Sequence, residues 1–137
     1  MNDVQTEIAY AKINLALHVR ARRDDGYHAI ETLFAFLDVG DVLTAEIAET
    51  NSLDVSGAFA DGLSNGADNL VNRALGLFGA SSAPKLAVCL DKALPVASGI
   101  GGGSADAAAA IRLMARIQGI ELNQALFDSA MSLGADV

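Results

Sequence analysis

One cysteine, no tryptophan and two prolines in 137 residues leave several protein classes without material. A lone Cys89 cannot build a disulfide framework, which excludes a stapled secreted scaffold. Two histidines, His18 and His28, and no cysteine cluster make no zinc signature. Basic residues are also scarce. Nine Lys and Arg stand against seventeen Asp and Glu, a formal net charge of −8, so the broad basic surface that nucleic acid requires is not expected. No apolar run approaches the roughly 20 residues that cross a bilayer, and no membrane partner is expected. Residues Met1–Glu7 lack the basic stretch and apolar core of a signal peptide. Together with a free thiol, that points to the reducing cytoplasm. Cys89 lies within Leu86-Ala87-Val88-Cys89-Leu90, where a buried, inert thiol is expected.

What remains is apolar and small. With 52% hydrophobic and 19% charged residues the chain is too apolar for disorder, and its length suits one domain rather than two. Residues 7–19 alternate as a strand, with Ile13, Leu15, Leu17 and Val19 on one face and Lys12, Asn14 and His18 on the other. A turn at Arg22–Gly26 follows. Residues 29–37 and 42–48 read as two further strands, joined into a hairpin by Asp38-Val39-Gly40-Asp41. Weaker strand material fills 51–66. Helical spacing over 70–78, capped by Asp68 or Asn69 and stopped at Gly79, precedes a short apolar strand at 85–91. Helices are expected over 104–118 and 123–132, and no internal repeat occurs.

The segment richest in information is Pro95-Val96-Ala97-Ser98-Gly99-Ile100-Gly101-Gly102-Gly103-Ser104-Ala105. Four glycines in five positions strip the backbone of Cβ atoms just where a helix opens. Free N–H groups and the helix dipole there favour an anion. Two familiar nucleotide loops do not fit. No lysine follows the glycines, as a P-loop requires, and the sixth position counted from Gly99 is Ser104 instead of the glycine of a dinucleotide loop. A flexible turn capped by Ser104 is the competing structural reading.

Pro95 through Ala108 resembles the central motif of the GHMP kinases: a proline, small residues, then clustered glycines and serines. Ala11-Lys12-Ile13-Asn14-Leu15, Asp25-Gly26-Tyr27-His28, Glu31-Thr32-Leu33-Phe34, Asp68-Asn69-Leu70-Val71 and Leu133-Gly134-Ala135-Asp136-Val137 narrow the resemblance to one branch. Members of that branch phosphorylate the 2-hydroxyl of a cytidine diphosphate-linked methylerythritol with ATP, in non-mevalonate isoprenoid biosynthesis. The resemblance implies an α+β two-layer sandwich containing a left-handed βαβ crossover. Residues 1–137 would form the N-terminal, ATP-binding domain, and a second α/β domain that closes the cleft would be absent from this chain.

By the same resemblance Lys12 and Asp136 are catalytic. Pro95, Val96, Ala97, Ser98, Gly99, Ile100, Gly101, Gly102, Gly103, Ser104, Ala105 and Asn69 hold ATP. Asn14, Tyr27, His28 and Phe34 meet the substrate, Tyr27 and His28 at the cytidine base. Ser104 touches phosphate or the shell of a Mg²⁺ ion. Phe34 and Phe36 are expected in the core, with Phe34 edging the substrate pocket. Asp106 departs from the family loop and reads as a first-turn charge complementing the helix dipole. The chain alone is expected to bind ATP weakly without turnover. Another GHMP small-molecule kinase and a non-catalytic nucleotide-binding module are the alternative functions.

Overall fold

Period-two alternation gives a sheet one apolar face, and that face must be covered. The computed structural model describes residues 3–79 and 83–137; Met1 and Asn2, part of the N-terminal reading above, lie outside the described residues. Strands β1 (Gln5–Arg22), β2 (His28–Ala48) and β3 (Ser52–Ser56) are followed by α1 (Leu70–Gly76), β4 (Lys85–Asp91), α2 (Gly102–Gln118) and α3 (Gln124–Ala130). The sheet order is β1-β2-β4-β3. β2 runs antiparallel to β1 and β4, whereas β3 and β4 are parallel, with α1 in the connection between them.

Leu43 and Ala45 of β2, Leu53 of β3 and Leu86, Val88 and Leu90 of β4 supply the covered face. Val71 and Ala74 of α1 and Ala107, Ala110, Leu113 and Met114 of α2 close over it. Burying each leucine completely stabilises the fold by about 1.5–3 kcal/mol, and the alanines of α2 let helix and sheet approach closely. This is the expected two-layer arrangement. Thr44, Glu46, Asp54 and Cys89 fall on the opposite face, around a shallow depression. Cys89 is therefore half-buried, with Sγ 3.8 Å from Ser56 Oγ, because alternation turns it away from the face that Val88 and Leu90 occupy.

The expected hairpin at 38–41 does not form. β2 runs unbroken through it, with Tyr10 of β1 opposite Gly40 and Ala9 opposite Asp41. A Cβ on Gly40 would stand 2.4 Å from the Ala9 carbonyl oxygen, so glycine here admits a close strand approach instead of a turn. Asp41 is fully buried against partners that arrive 51 residues later. The far ends of β1 and β2 continue as a two-stranded ribbon with register shifts at Tyr10/Lys12, Asn14/Ala16 and Val19/Ala21. Each shift alters which side chains share a face. Leu15, Val19, Leu33 and Phe36 are more than 60% exposed on this ribbon, so the buried face expected for β1 ends near Ala11.

Candidate active site

The glycine loop joins β4 to α2 and is held at three points. Asp41 Oδ1 accepts hydrogen bonds from the N–H groups of Ala93 and Leu94, both at 2.7 Å, where the loop leaves β4. The Lys12 N–H donates to the Ile100 carbonyl at 3.0 Å, tying the loop to β1. Gly101 then caps α2 with φ of +73°, a left-handed conformation that glycine adopts without steric cost. No side chain caps this helix, in contrast to α1 and α3, whose Asn69 and Asn123 oxygens each accept a first-turn N–H. The helix begins at Gly102, two residues earlier than the spacing suggested, so the amides at its mouth belong to glycines and to Ser104. Ser104 is not the cap.

The loop separates two pockets. On one side a pocket of about 330 Å³ is lined by Asn69, Pro95, Val96, Ala97, Gly102 and Gly103, among others. Asn69 thus combines two roles: its Oδ1 accepts from the Val71 N–H at 2.9 Å while the residue walls this pocket. On the other side an apolar cleft of about 790 Å³ is lined by Lys12, Asn14, Phe34, Gly101, Ser104, Ala105 and Asp136. Lys12 Nζ lies 3.7 Å from Asp136 Oδ2, and the two side chains come from opposite ends of the chain. The ammonium also stands 5.9 Å above the centre of the Phe34 ring.

Several expected residues sit elsewhere. Phe34 and Phe36 meet edge to face at 5.7 Å, and both are about half exposed or more, at 48% and 67%. They line the large cleft, which corrects their assignment to the core: both side chains stand on the exposed part of β2, where the burial pattern shows no covered face. Tyr27 and His28 lie at the exposed ribbon tip, outside the lining of both pockets. Ser98 is exposed and donates its hydroxyl to the Pro95 carbonyl, an internal loop contact. Gly99 borders neither pocket.

Sequence reasoning missed a buried cluster under the loop. Lys92 Nζ reaches Asp41 Oδ2 at 2.5 Å and Asp106 Oδ2 at 2.9 Å, and all three side chains are at least 96% buried. Asp106 is therefore a buried partner of Lys92 and not the first-turn charge complementing the helix dipole that its position suggested. Burial pushes the Asp106 carboxyl up to about 7, against the opposing pull of Lys92, while nearby Asp41 adds to the rise. Burial works against the Lys92 ammonium, but hydrogen bonds to Asp41 and Asp106 outweigh it and hold Lys92 above its ordinary value. The available signal was two adjacent charges, Asp91-Lys92, ending an apolar strand. Arg112 was missed as well; its Nε donates to Glu7 Oε1 at 2.7 Å on the rim of the large cleft.

Comparison with known proteins identifies the family. Residues 69–137, half of the chain, match the family model described as the GHMP kinases N terminal domain. The chain belongs to the GHMP kinases. Within this family, the 4-diphosphocytidyl-2-C-methyl-D-erythritol kinases of Sphingopyxis alaskensis and Erythrobacter litoralis are 56% and 54% identical to it. The alignments cover 100% and 96% of this GHMP chain but 50% and 47% of those enzymes. A crystal structure of 4-(cytidine 5'-diphospho)-2C-methyl-D-erythritol kinase superposes with a TM-score of 0.77 at 36% identity, over 97% of this chain and 47% of the other. A homoserine kinase from Cytophaga hutchinsonii, at 17% identity and a TM-score of 0.65, shares the GHMP fold. The chain spans about half the length of the curated relatives it matches.

Proposed function

We propose that this chain is the nucleotide-binding part of a kinase that transfers the γ-phosphate of ATP to the 2-hydroxyl of 4-diphosphocytidyl-2-C-methyl-D-erythritol, in isoprenoid biosynthesis. The observation that carries the reading is the Lys12–Asp136 pair, 3.7 Å apart, in a cleft walled by the glycine loop. The names of relatives 50–56% identical support the acceptor. On this reading the pocket bounded by Asn69, Pro95–Ala97 and Gly102–Gly103 takes the nucleoside, and the amides at the mouth of α2 take its phosphates. Asn14 and Phe34 face the acceptor in the large cleft. The reading places the protein in the cytoplasm, where ATP is supplied.

The magnitude of the proton transfer fixes the role of the carboxylate. An alcohol is a far weaker acid than a carboxylic acid, so handing its proton to a carboxylate before attack is steeply uphill. Asp136 cannot form an alkoxide before attack. It orients the hydroxyl and receives its proton late, while the loose phosphoryl transition state develops. Lys12 supplies a positive charge both to that carboxylate and to the oxygens of the group in transfer. Ser104 shares the cleft wall with Asp136, and among the described residues no three His, Cys, Asp or Glu side chains gather into a metal cage. This donor set suits Mg²⁺ that arrives on the nucleotide with most of its waters, Ser104 and Asp136 being the oxygens able to meet its shell. Bound there, the ion would offset phosphate charge.

The bare apolar ribbon supports a further part of the proposal. Leu15, Leu17, Val19, Ile30, Leu33, Phe34 and Phe36 are each at least 48% exposed, a larger apolar face than solvent-facing strands normally carry. A second domain, as the greater length of the relatives suggests, would cover it and bring the substrate against Tyr27 and His28. The test is a panel of acceptors with γ-labelled ATP and the complete protein. Label is expected on 4-diphosphocytidyl-2-C-methyl-D-erythritol, and not on homoserine or mevalonate. The 137-residue chain alone is expected to bind nucleotide without turnover. Label on another acceptor would replace the substrate assignment, and turnover by the 137-residue chain would remove the need for a covering domain.

A further inference from the structure

Strand pairing decides which side chains of the ribbon can meet one ligand, because partners in register share a face. β2 alternates without interruption from His28 to Phe36, and the extra residues behind the register shifts there fall on β1. One face therefore carries the pairs Lys12–Phe36, Asn14–Phe34, Leu17–Thr32, Val19–Ile30 and Arg22–His28. The near part of this face lines the large cleft as far as Leu17 and Ile30. From Phe34 to His28 the extended strand covers about 20 Å. Along that path Leu17, Val19 and Ile30 are apolar, and the Thr32 hydroxyl already donates to the Ala16 carbonyl at 2.9 Å.

An acceptor that runs from the Lys12–Asp136 pair to the ribbon tip carries two phosphates between its alcohol and its nucleoside. Phosphates brought against apolar residues need a cation that replaces their lost hydration. Most cations of the ribbon are already engaged. Lys12 pairs with Asp136, Arg20 with Glu31 and Arg23 with Asp25, while His18 lies opposite Glu31 on the other face. Arg22 is exposed, and its side chain has no ion pair or hydrogen bond among the described residues. It shares a depression at the ribbon tip with Arg23, Asp24 and Asp25. Neither carboxylate pairs with Arg22. Asp25 is taken by Arg23 at 2.9 Å and by the Tyr27 N–H at 3.1 Å.

We propose that Arg22 is a specificity-determining residue that binds the diphosphate of the acceptor. The inference rests on the acceptor reading above, with the cytidine at Tyr27 and His28. A guanidinium presents a planar fork of donors that fits phosphate oxygens in pairs. Beside His28 it would select a phosphorylated nucleoside over a bare one.

The experiment follows label transfer from γ-labelled ATP to 4-diphosphocytidyl-2-C-methyl-D-erythritol in the complete protein, with cytidine and CDP as competing inhibitors. Wild type is compared with Arg22→Gln, Arg22→Lys and Arg20→Gln. Loss of charged hydrogen bonds should raise the acceptor KM of Arg22→Gln about tenfold, while kcat and the KM for ATP hold. Inhibition by CDP should weaken by the same factor and inhibition by cytidine should not. Arg22→Lys keeps the charge without the fork and should recover part of the loss. Arg20→Gln removes an equal charge from the same ribbon and should leave the acceptor KM unchanged. An unchanged acceptor KM in Arg22→Gln, an equal loss for cytidine and CDP, or an equal effect of Arg20→Gln overturns the assignment. A wild type that transfers no label to this acceptor sinks the acceptor reading itself, and this inference with it.

Discussion

Replacing Asp106 by asparagine should change how stability depends on pH, and the structure fixes the sign. Burial raises the Asp106 carboxyl from 3.8 to about 7 in the folded chain, whereas unfolding returns it to water. Between those values the folded state holds a proton that the unfolded state has released. Stability from this group is therefore complete below about pH 4 and is lost as pH rises toward 7. An interval of about three pH units at 1.36 kcal/mol each corresponds to about 4 kcal/mol. Asparagine has the same shape, keeps an oxygen for Lys92 and does not titrate in this range. Urea denaturation of both proteins from about pH 4.5 to about pH 8.5 gives the difference directly. Wild-type stability minus variant stability should fall steadily up to about pH 7 and then level. A difference that stayed flat, or rose with pH, would refute the buried, proton-holding carboxyl.

Gly40→Ala should destabilise the chain by about 1–3 kcal/mol, because the added carbon meets the Ala9 carbonyl oxygen at 2.4 Å and a backbone cannot step aside; chemical denaturation measures it. Leu113→Ala removes a fully buried side chain between α2 and the sheet, with an expected loss of about 2–5 kcal/mol in the same assay. Asn69→Ala should cost about 1 kcal/mol through the lost cap on α1, and should also weaken nucleotide binding because the residue lines that pocket. A stability loss without a change in affinity would confine Asn69 to the cap.

Legibility followed range along the chain. The glycine loop and α2 announce themselves locally: glycine density, then an alanine-rich helix, within one stretch of sequence. β4 was readable to the residue at Lys85–Asp91, since a short apolar run bounded by charge has few other fates. Asp41 was misread as part of a turn because its justification is distant; the groups that satisfy it are Lys92, Ala93 and Leu94. Without them, aspartate beside glycine has the local chemistry of a turn. Phe34 and Phe36 were misplaced for the opposite reason. Aromatics belong in cores by habit, but both stand beyond the covered part of the sheet, on a ribbon with shifted register whose apolar side chains are exposed. Lys12 and Asp136 meet across 124 positions, and no spacing rule finds such a pair; it came from resemblance, and the geometry places both on one cleft.

The most direct test is the rate of label transfer from γ-labelled ATP to 4-diphosphocytidyl-2-C-methyl-D-erythritol in the complete protein carrying Lys12→Met or Asp136→Asn. Each variant should lower kcat by about 10²–10³ with little change in the KM for ATP, since on the proposed mechanism Lys12 meets the group in transfer and Asp136 the accepting hydroxyl. Transfer at the wild-type rate by either variant would contradict a catalytic Lys12–Asp136 pair.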